Sequence, residues 1–149
     1  MRPAAATDIP ALLALVKQYW AFEGLSEFDE NRVANELQRL VANPALGNVW
    51  IAWDNAAAAG YLIAVYVFSL EHLGLTAEID ELFVVPEHRG KGLGTKLLDT
   101  AEREFVARGC TNVFLQLGRE NARGRSFYRA HGFRDRTGFD LLDKMLPNG

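Results

Sequence analysis

The chain is short of most features that announce a specialised class. It has one cysteine, Cys110, in 149 residues. No internal disulfide can form, a reducing and cytoplasmic setting is expected, and Cys110 reads as a small buried or half-buried hydrophobe. The longest apolar runs, such as "YLIAVYVF" at 61–68, have the length of a strand and are too short to cross a bilayer. No basic stretch followed by an apolar core opens the chain, so no signal peptide is expected. The three histidines, His72, His88 and His131, lack metal-ligand spacing and a serine or cysteine partner, so neither a metal nor a triad is expected. Linkers, repeats and low-complexity tracts are missing too. What remains is an ordinary globular composition, 49% apolar and 23% charged, read as one domain over 1–149 with a sizeable core.

Cations are missing from the middle: no Lys or Arg lies between Arg39 and Arg89. Residues 1–88 carry 4 Lys/Arg against 12 Asp/Glu, a balance of −8, and residues 89–149 carry 12 against 7, a balance of +5. The sum is the net −3. Such polarity suggests an anion held by the second part and a cation by the first. The arginine run from Arg119 to Arg136 raises the question of nucleic acid. Overall acidity and the absence of RNA-binding motifs argue against it, and neither a nucleic-acid nor a membrane partner is expected.

"ATDIPALLALVKQYW" predicts a helix capped by Thr7 or Asp8, with Pro10 in its first turn and a stripe through Leu12, Leu13, Val16 and Trp20. "FDENRVANELQRLVANP" predicts a second, capped by Asp29 and stopped at Asn43-Pro44. "NVWIAWD" and "GYLIAVYVF" then read as strands joined by a turn over 55–60, and "AEIDELFVV" as a strand ended by Pro86. A long helix follows from Gly92 to about Arg108, with Gly109 as its stop. "NVFLQL" reads as a strand, "ARGRSFYRAHGF" as a short helix closed by Gly132, and "GFDLLDKML" as a final strand. The order α-α-β-β-β-α-β-α-β predicts a three-layer α/β fold around a mixed sheet.

The stretch "PEHRGKGLGTKLL" concentrates backbone freedom where a helix begins. First-turn amides are unpaired there and the helix dipole is positive. Glycines let the preceding N–H groups converge and admit phosphate oxygens without meeting a Cβ. Arg89 and Lys91 add charge, and Thr95 a hydroxyl. The spacing is neither the nucleotide P-loop nor the dinucleotide fingerprint.

Arg89-x-x-Gly92-x-Gly94 resembles the [Q/R]-x-x-G-x-[G/A] signature of the GNAT superfamily of acetyl-coenzyme A dependent N-acetyltransferases. "DELFVVPEHRGKGLGTKLL" is similar to that family's core strand and pyrophosphate loop. "ENARGRSFYRAHGF" is similar to its second motif, and "RPAAATDIPAL" to its N-terminal strand and helix, with the first strand cut to a stub before Pro3. The resemblance covers nearly the whole chain. It implies a mostly antiparallel mixed sheet, splayed between its fourth and fifth strands, with helices on both faces. It implies acetyl-coenzyme A as co-substrate with no metal, the pantetheine arm along Phe83, Val84 and Val85, and pyrophosphate on the amides of Arg89, Gly90, Lys91, Gly92, Leu93, Gly94 and Thr95. Asn121 and Ser126 join the cofactor side, and Tyr128 matches the family's general acid. Gly124, where the family favours alanine, costs the short helix about 1 kcal/mol.

The acceptor needs a base. An ammonium of pKa about 10.4 is deprotonated only about once in a thousand at neutral pH, a handicap of roughly 4 kcal/mol. A carboxylate acting directly or through water removes that handicap. By the resemblance, Glu81 or Asp80 fills this role, or water alone. Alternation along a strand turns only one of the two toward the acetyl group, and Glu81 is the favoured one. Phe22, Glu23 and Glu71 are candidates for an acceptor site. "VFSLEHLG…EIDELFVV" also resembles diamine N-acetyltransferases, so a small cationic amine is the first expectation. Lysine or N-terminal acetylation of proteins is the second, and a coenzyme A binding or sensing module without turnover the third. A homodimer is compatible with the family, but no residue compels one.

Overall fold

A computed structural model describes residues 1–149, and it comprises two compact units, Met1–Gln116 and Leu117–Gly149. The first unit carries the sheet. Its elements are β1 (Arg2–Pro3), α1 (Ile9–Glu23), α2 (Glu30–Ala42), β2 (Gly47–Asp54), β3 (Ala57–Ser69), β4 (Gly74–Val84), α3 (Leu93–Ala107) and β5 (Asn112–Leu115). The second unit carries α4 (Ala122–Ala130).

The strands lie in chain order, β1 to β5. The first four pair antiparallel and β4 pairs β5 parallel. The two-residue β1 is the expected stub. Arg2 grips the buried Asp8 carboxylate through both terminal nitrogens, at 2.6 and 2.8 Å, tying the stub to the start of α1. Asp8 is the residue before α1, but its side chain accepts from Arg2 and from the Ala5 N–H rather than capping the helix. Asp29 does cap α2, accepting from the Arg32 N–H at 3.0 Å.

Period-two alternation divides the sheet between its two helical faces. Leu12, Leu15 and Val16 of α1 and Leu37 of α2 cluster with Val49, Ile51, Tyr61, Ile63, Phe83 and Val85. On the opposite face Trp50 and Tyr66 pack edge-on against Phe105 of α3, each ring pair at 6.2 Å. The middle of the sheet, residues 50–52, 59–64 and 76–77, is thus buried between the two faces, as its near-continuous apolar runs require, while Val67 and Phe68 near the end of β3 stay exposed.

Two further expectations are corrected. The turn over 55–60 is shorter: Asp54 pairs with Ala57, leaving only Asn55 and Ala56 in the loop, with Asn55 at φ 53°. The alanine run therefore belongs to β3. The final strand over 138–146 does not form. Phe139, Leu141, Leu142, Met145 and Leu146 are exposed there. Adjacent Leu141 and Leu142 cannot share one face of a strand, Asp140, Asp143 and Lys144 interrupt the apolar pattern, and the second unit contains no strand to pair with.

Candidate active site

The site begins with an irregularity in β4. Ile63 pairs with Glu81 but Ala64 pairs with Ile79, so Asp80 is an extra residue bulged out of the ladder. The bulge inverts the parity of the strand. Ala77 and Ile79, opposite Tyr66 and Ala64, face α3, whereas Glu81 and Phe83, opposite Ile63 and Tyr61, face α1 and α2. Without it Glu81 would lie on the α3 side.

Glu81 is partly buried, and its Oε2 accepts a 2.7 Å hydrogen bond from the hydroxyl of Tyr61, which is fully buried. Desolvation pushes the Glu81 carboxyl up to about 7, against a smaller lowering by the Tyr61 hydrogen bond. The negative charges of Asp80 and Glu23 contribute smaller parts of that rise. Asp80 is exposed, and its carboxyl is also raised, by desolvation. Solvent screens so open a group, which leaves Glu81 as the carboxyl raised into the neutral range. Glu78, two residues before the bulge, is raised by desolvation and by Asp80. Glu23 at the end of α1, Glu78, Asp80 and Glu81 thus form one acidic neighbourhood. Glu71 lies outside it: it sits before Gly74 at the other end of β4, seven or more residues from Glu81, or roughly 20 Å of strand.

Beyond Ile79 the sheet opens. The β4–β5 ladder spans only Thr76–Ile79 against Asn112–Leu115, while β4 continues to Val84. This is the expected splay. The Val85 N–H donates to Ala59 across the β3 side. Because a trans peptide points its C=O and N–H in opposite directions, the Val84 carbonyl faces the open edge. The same alternation turns the Val84 N–H outward, so of Phe83, Val84 and Val85 it is Val84 that presents its main chain there.

After β4 comes the glycine loop. Gly90 and Gly92 are left-handed, at φ 75° and 80°, and a Cβ on either would meet nothing within 4 Å. The glycines serve the backbone's turn and leave open space beside it. Gly92 precedes α3 without a side-chain cap, and the first helical bond runs from the Lys96 N–H to the Gly92 carbonyl. The amides of Leu93, Gly94 and Thr95 therefore stand at the uncapped mouth of a 15-residue helix. Lys91 is exposed beside them. Arg89 is not directed there. Its Nε donates to the Val84 carbonyl at 2.8 Å, and its guanidinium lies 5.1 Å from the Phe22 ring centre and 5.4 Å from that of Phe83. Phe22 is thus joined to the loop.

The second unit holds Asn121, Ser126 and Tyr128. Asn121 caps α4, accepting from the Gly124 N–H at 2.8 Å. A Cβ on Gly124 would meet the Asn121 side chain at 2.7 to 3.0 Å, so the glycine makes room for the cap. Ser126 is exposed on α4, and the half-buried Tyr128 ring packs on Phe127 at 5.1 Å and on Phe133 at 5.4 Å.

Sequence reasoning missed Tyr61, whose apolar strand setting gave no sign of its partner twenty residues away. It also missed the bulge, and the inward turn of Arg89.

An uncapped, glycine-led helix mouth thus lies beside an open strand edge and a carboxyl raised toward neutrality. Residues 10–133 match the acetyltransferase (GNAT) family, and the chain belongs to it. It is 28% identical to the aminoglycoside N(6′)-acetyltransferase type 1 of Klebsiella aerogenes, over 89% of this chain and 88% of that one. It is 24% identical to the spermidine N(1)-acetyltransferase of Thermoplasma acidophilum, over 95% and 93%. Its fold matches a protein of Clostridium acetobutylicum described as a predicted acetyltransferase and solved with acetyl-CoA, at TM-score 0.81 and 24% identity, covering 95% of this chain and 94% of that one. No helix of the structure is long and apolar enough to cross a membrane.

Proposed function

We propose that the chain transfers acetyl from acetyl-coenzyme A to the primary amine of a small cationic acceptor, by direct attack in a ternary complex. The residues fit the co-substrate. The amides at the mouth of α3, with Lys91 beside them, suit a diphosphate, and the open edge at Val84 suits an extended amide-bearing arm. In this reading the acceptor nitrogen adds to the thioester carbonyl and gives its proton to Glu81, directly or through water. The C–N bond forms, the C–S bond breaks, and Tyr128 protonates the departing thiolate.

The observation that carries the acceptor class is the acidic neighbourhood of Glu23, Glu78, Asp80 and Glu81 around the base. Such a group attracts a polycation and disfavours an anion. The relatives named for aminoglycosides and spermidine support it. The test is a thiol-release screen with acetyl-CoA over diamines, aminoglycosides, amino acids and short peptides. Turnover with di- and polyamines or aminoglycosides, and little with neutral amino acids, is expected. A preference for lysine peptides would replace this acceptor class with protein acetylation. Coenzyme A binding without thiol release from any amine would leave a sensing module.

A further inference from the structure

Tyr61 has no role in the family signature, yet it is the one side chain seen to hold the base. It is completely buried in β3, where an apolar side chain would serve packing equally well. Its ring meets Phe83 at 6.3 Å, and its hydroxyl ends on Glu81 Oε2 at 2.7 Å. The bond depends on the Asp80 bulge, which places Glu81 on the Tyr61 face. A buried phenol also needs a partner for its O–H, so each group constrains the other.

We propose that Tyr61 is a positioning residue for the base: its buried hydroxyl locks one oxygen of Glu81 and leaves the other for the acceptor amine. This rests on the proposed role of Glu81. The groups that bear on the carboxylate are Tyr61 from β3, Asp80 from its own strand and Glu23 from α1, with Tyr19 of α1 bearing on Tyr61. Arg89 lies over Phe83, two residues along β4. Among these, Tyr61 donates a hydrogen bond to the ionised carboxylate and so favours the basic form, while Asp80 and Glu23 oppose it. Tyr61 thereby keeps the carboxylate available at neutral pH within an acidic site.

The decisive measurement needs no acceptor. The carboxyl carbon of Glu81 is followed by NMR against pH in the free protein, assigned by its loss in Glu81→Gln, and compared with Tyr61→Phe. A hydrogen bond to a charged group contributes about 1.5–3 kcal/mol, so the midpoint is expected to rise by about one to two pH units. An unchanged midpoint overturns the proposal. Should Tyr61→Phe fail to fold, the unaltered protein decides: one tyrosine Cζ resonance must titrate with the Glu81 midpoint, and the absence of any such resonance is equally fatal. The base itself is judged separately by turnover of Glu81→Gln with whichever amine the screen identifies. Full turnover there removes the base and Tyr61's role with it. Lost turnover with an unmoved Tyr61→Phe midpoint removes Tyr61's role alone.

Discussion

Arg89 is bonded through Nε to the Val84 carbonyl at 2.8 Å, on the edge where β4 has lost its partner strand. With Phe22 and Phe83 on its guanidinium, Arg89 ties the end of α1, the end of β4 and the glycine loop together. Its place in the signature is therefore explained by loop architecture as much as by charge.

That arrangement separates two roles for Arg89. If it orders the loop, lysine cannot replace it, because an ammonium lacks the planar fork that donates and stacks at once. Losing a charge-assisted hydrogen bond and a cation–π contact is worth about 2–3 kcal/mol. Arg89→Lys and Arg89→Ala are both expected to raise KM for acetyl-CoA roughly 10- to 100-fold while kcat changes little. Steady-state kinetics with varied acetyl-CoA provides the check. A wild-type KM in Arg89→Lys would show that charge alone matters.

A second prediction concerns Gly124. Helix propensity alone makes Gly124→Ala stabilising by about 1 kcal/mol. The structure predicts otherwise, because the new Cβ would lie 2.7 Å from Asn121 Nδ2 and displace the cap. A lost cap costs about 1 kcal/mol, so the gain should vanish or reverse. In an Asn121→Ala background the same substitution should stabilise. A double-mutant cycle by thermal or urea unfolding is expected to show coupling of about 1 kcal/mol between the two positions. Additive effects would mean that the two positions do not share this space.

These cases show what was legible in the sequence. Helix bounds and the glycine loop are local, written within a few residues of where they act, and α1 to α4 appear close to their expected bounds, whereas Asn121, read for the cofactor side, also caps α4. The β4 bulge is not local. Nothing in "AEIDELFVV" marks Asp80 as the extra residue, because a bulge is defined by register against β3. Simple alternation separated Asp80 from Glu81 but could not say which face each would take. In the sequence Glu71 stands with Phe22 and Glu23 as an acceptor-site candidate, and only the length of β4 sets it apart from Glu23 and Glu81. The strand expected at 138–146 rested on apolar content, which describes a surface to be covered without naming a partner.

Tyr128 is the candidate acid, and its test is kinetic. A phenol with an ordinary pKa of about 10 is protonated at neutral pH and able to donate to a nascent thiolate. Tyr128→Phe keeps the ring that packs on Phe127 and Phe133 and removes only the hydroxyl. Turnover is expected to fall by about 10²–10⁴, the usual worth of a general acid. Acetyl-CoA affinity by calorimetry should stay within a few-fold. Unchanged turnover would dismiss it as the acid.

The same desolvation that raises the Glu81 carboxyl should make it a burden on stability. Its folded pKa, about 7, lies above the ordinary carboxylate value of 4.5. The sign follows from proton binding. Below about pH 4.5 the carboxyl is protonated in both states and its burial carries no charge penalty. Between 4.5 and 7 the unfolded chain releases the proton first, so that stability drains away as pH rises, and above 7 the loss is complete. The full span is on the order of 3 kcal/mol. Glu81→Gln keeps an oxygen for the Tyr61 hydroxyl and never ionises. It should therefore unfold at higher temperature than the parent protein at pH 8, by several degrees, with the advantage shrinking toward zero near pH 4. Melting curves of the two proteins across pH 4–8 decide it. Equal stability at pH 8 would mean that Glu81 is not held in the desolvated environment on which its role as base depends.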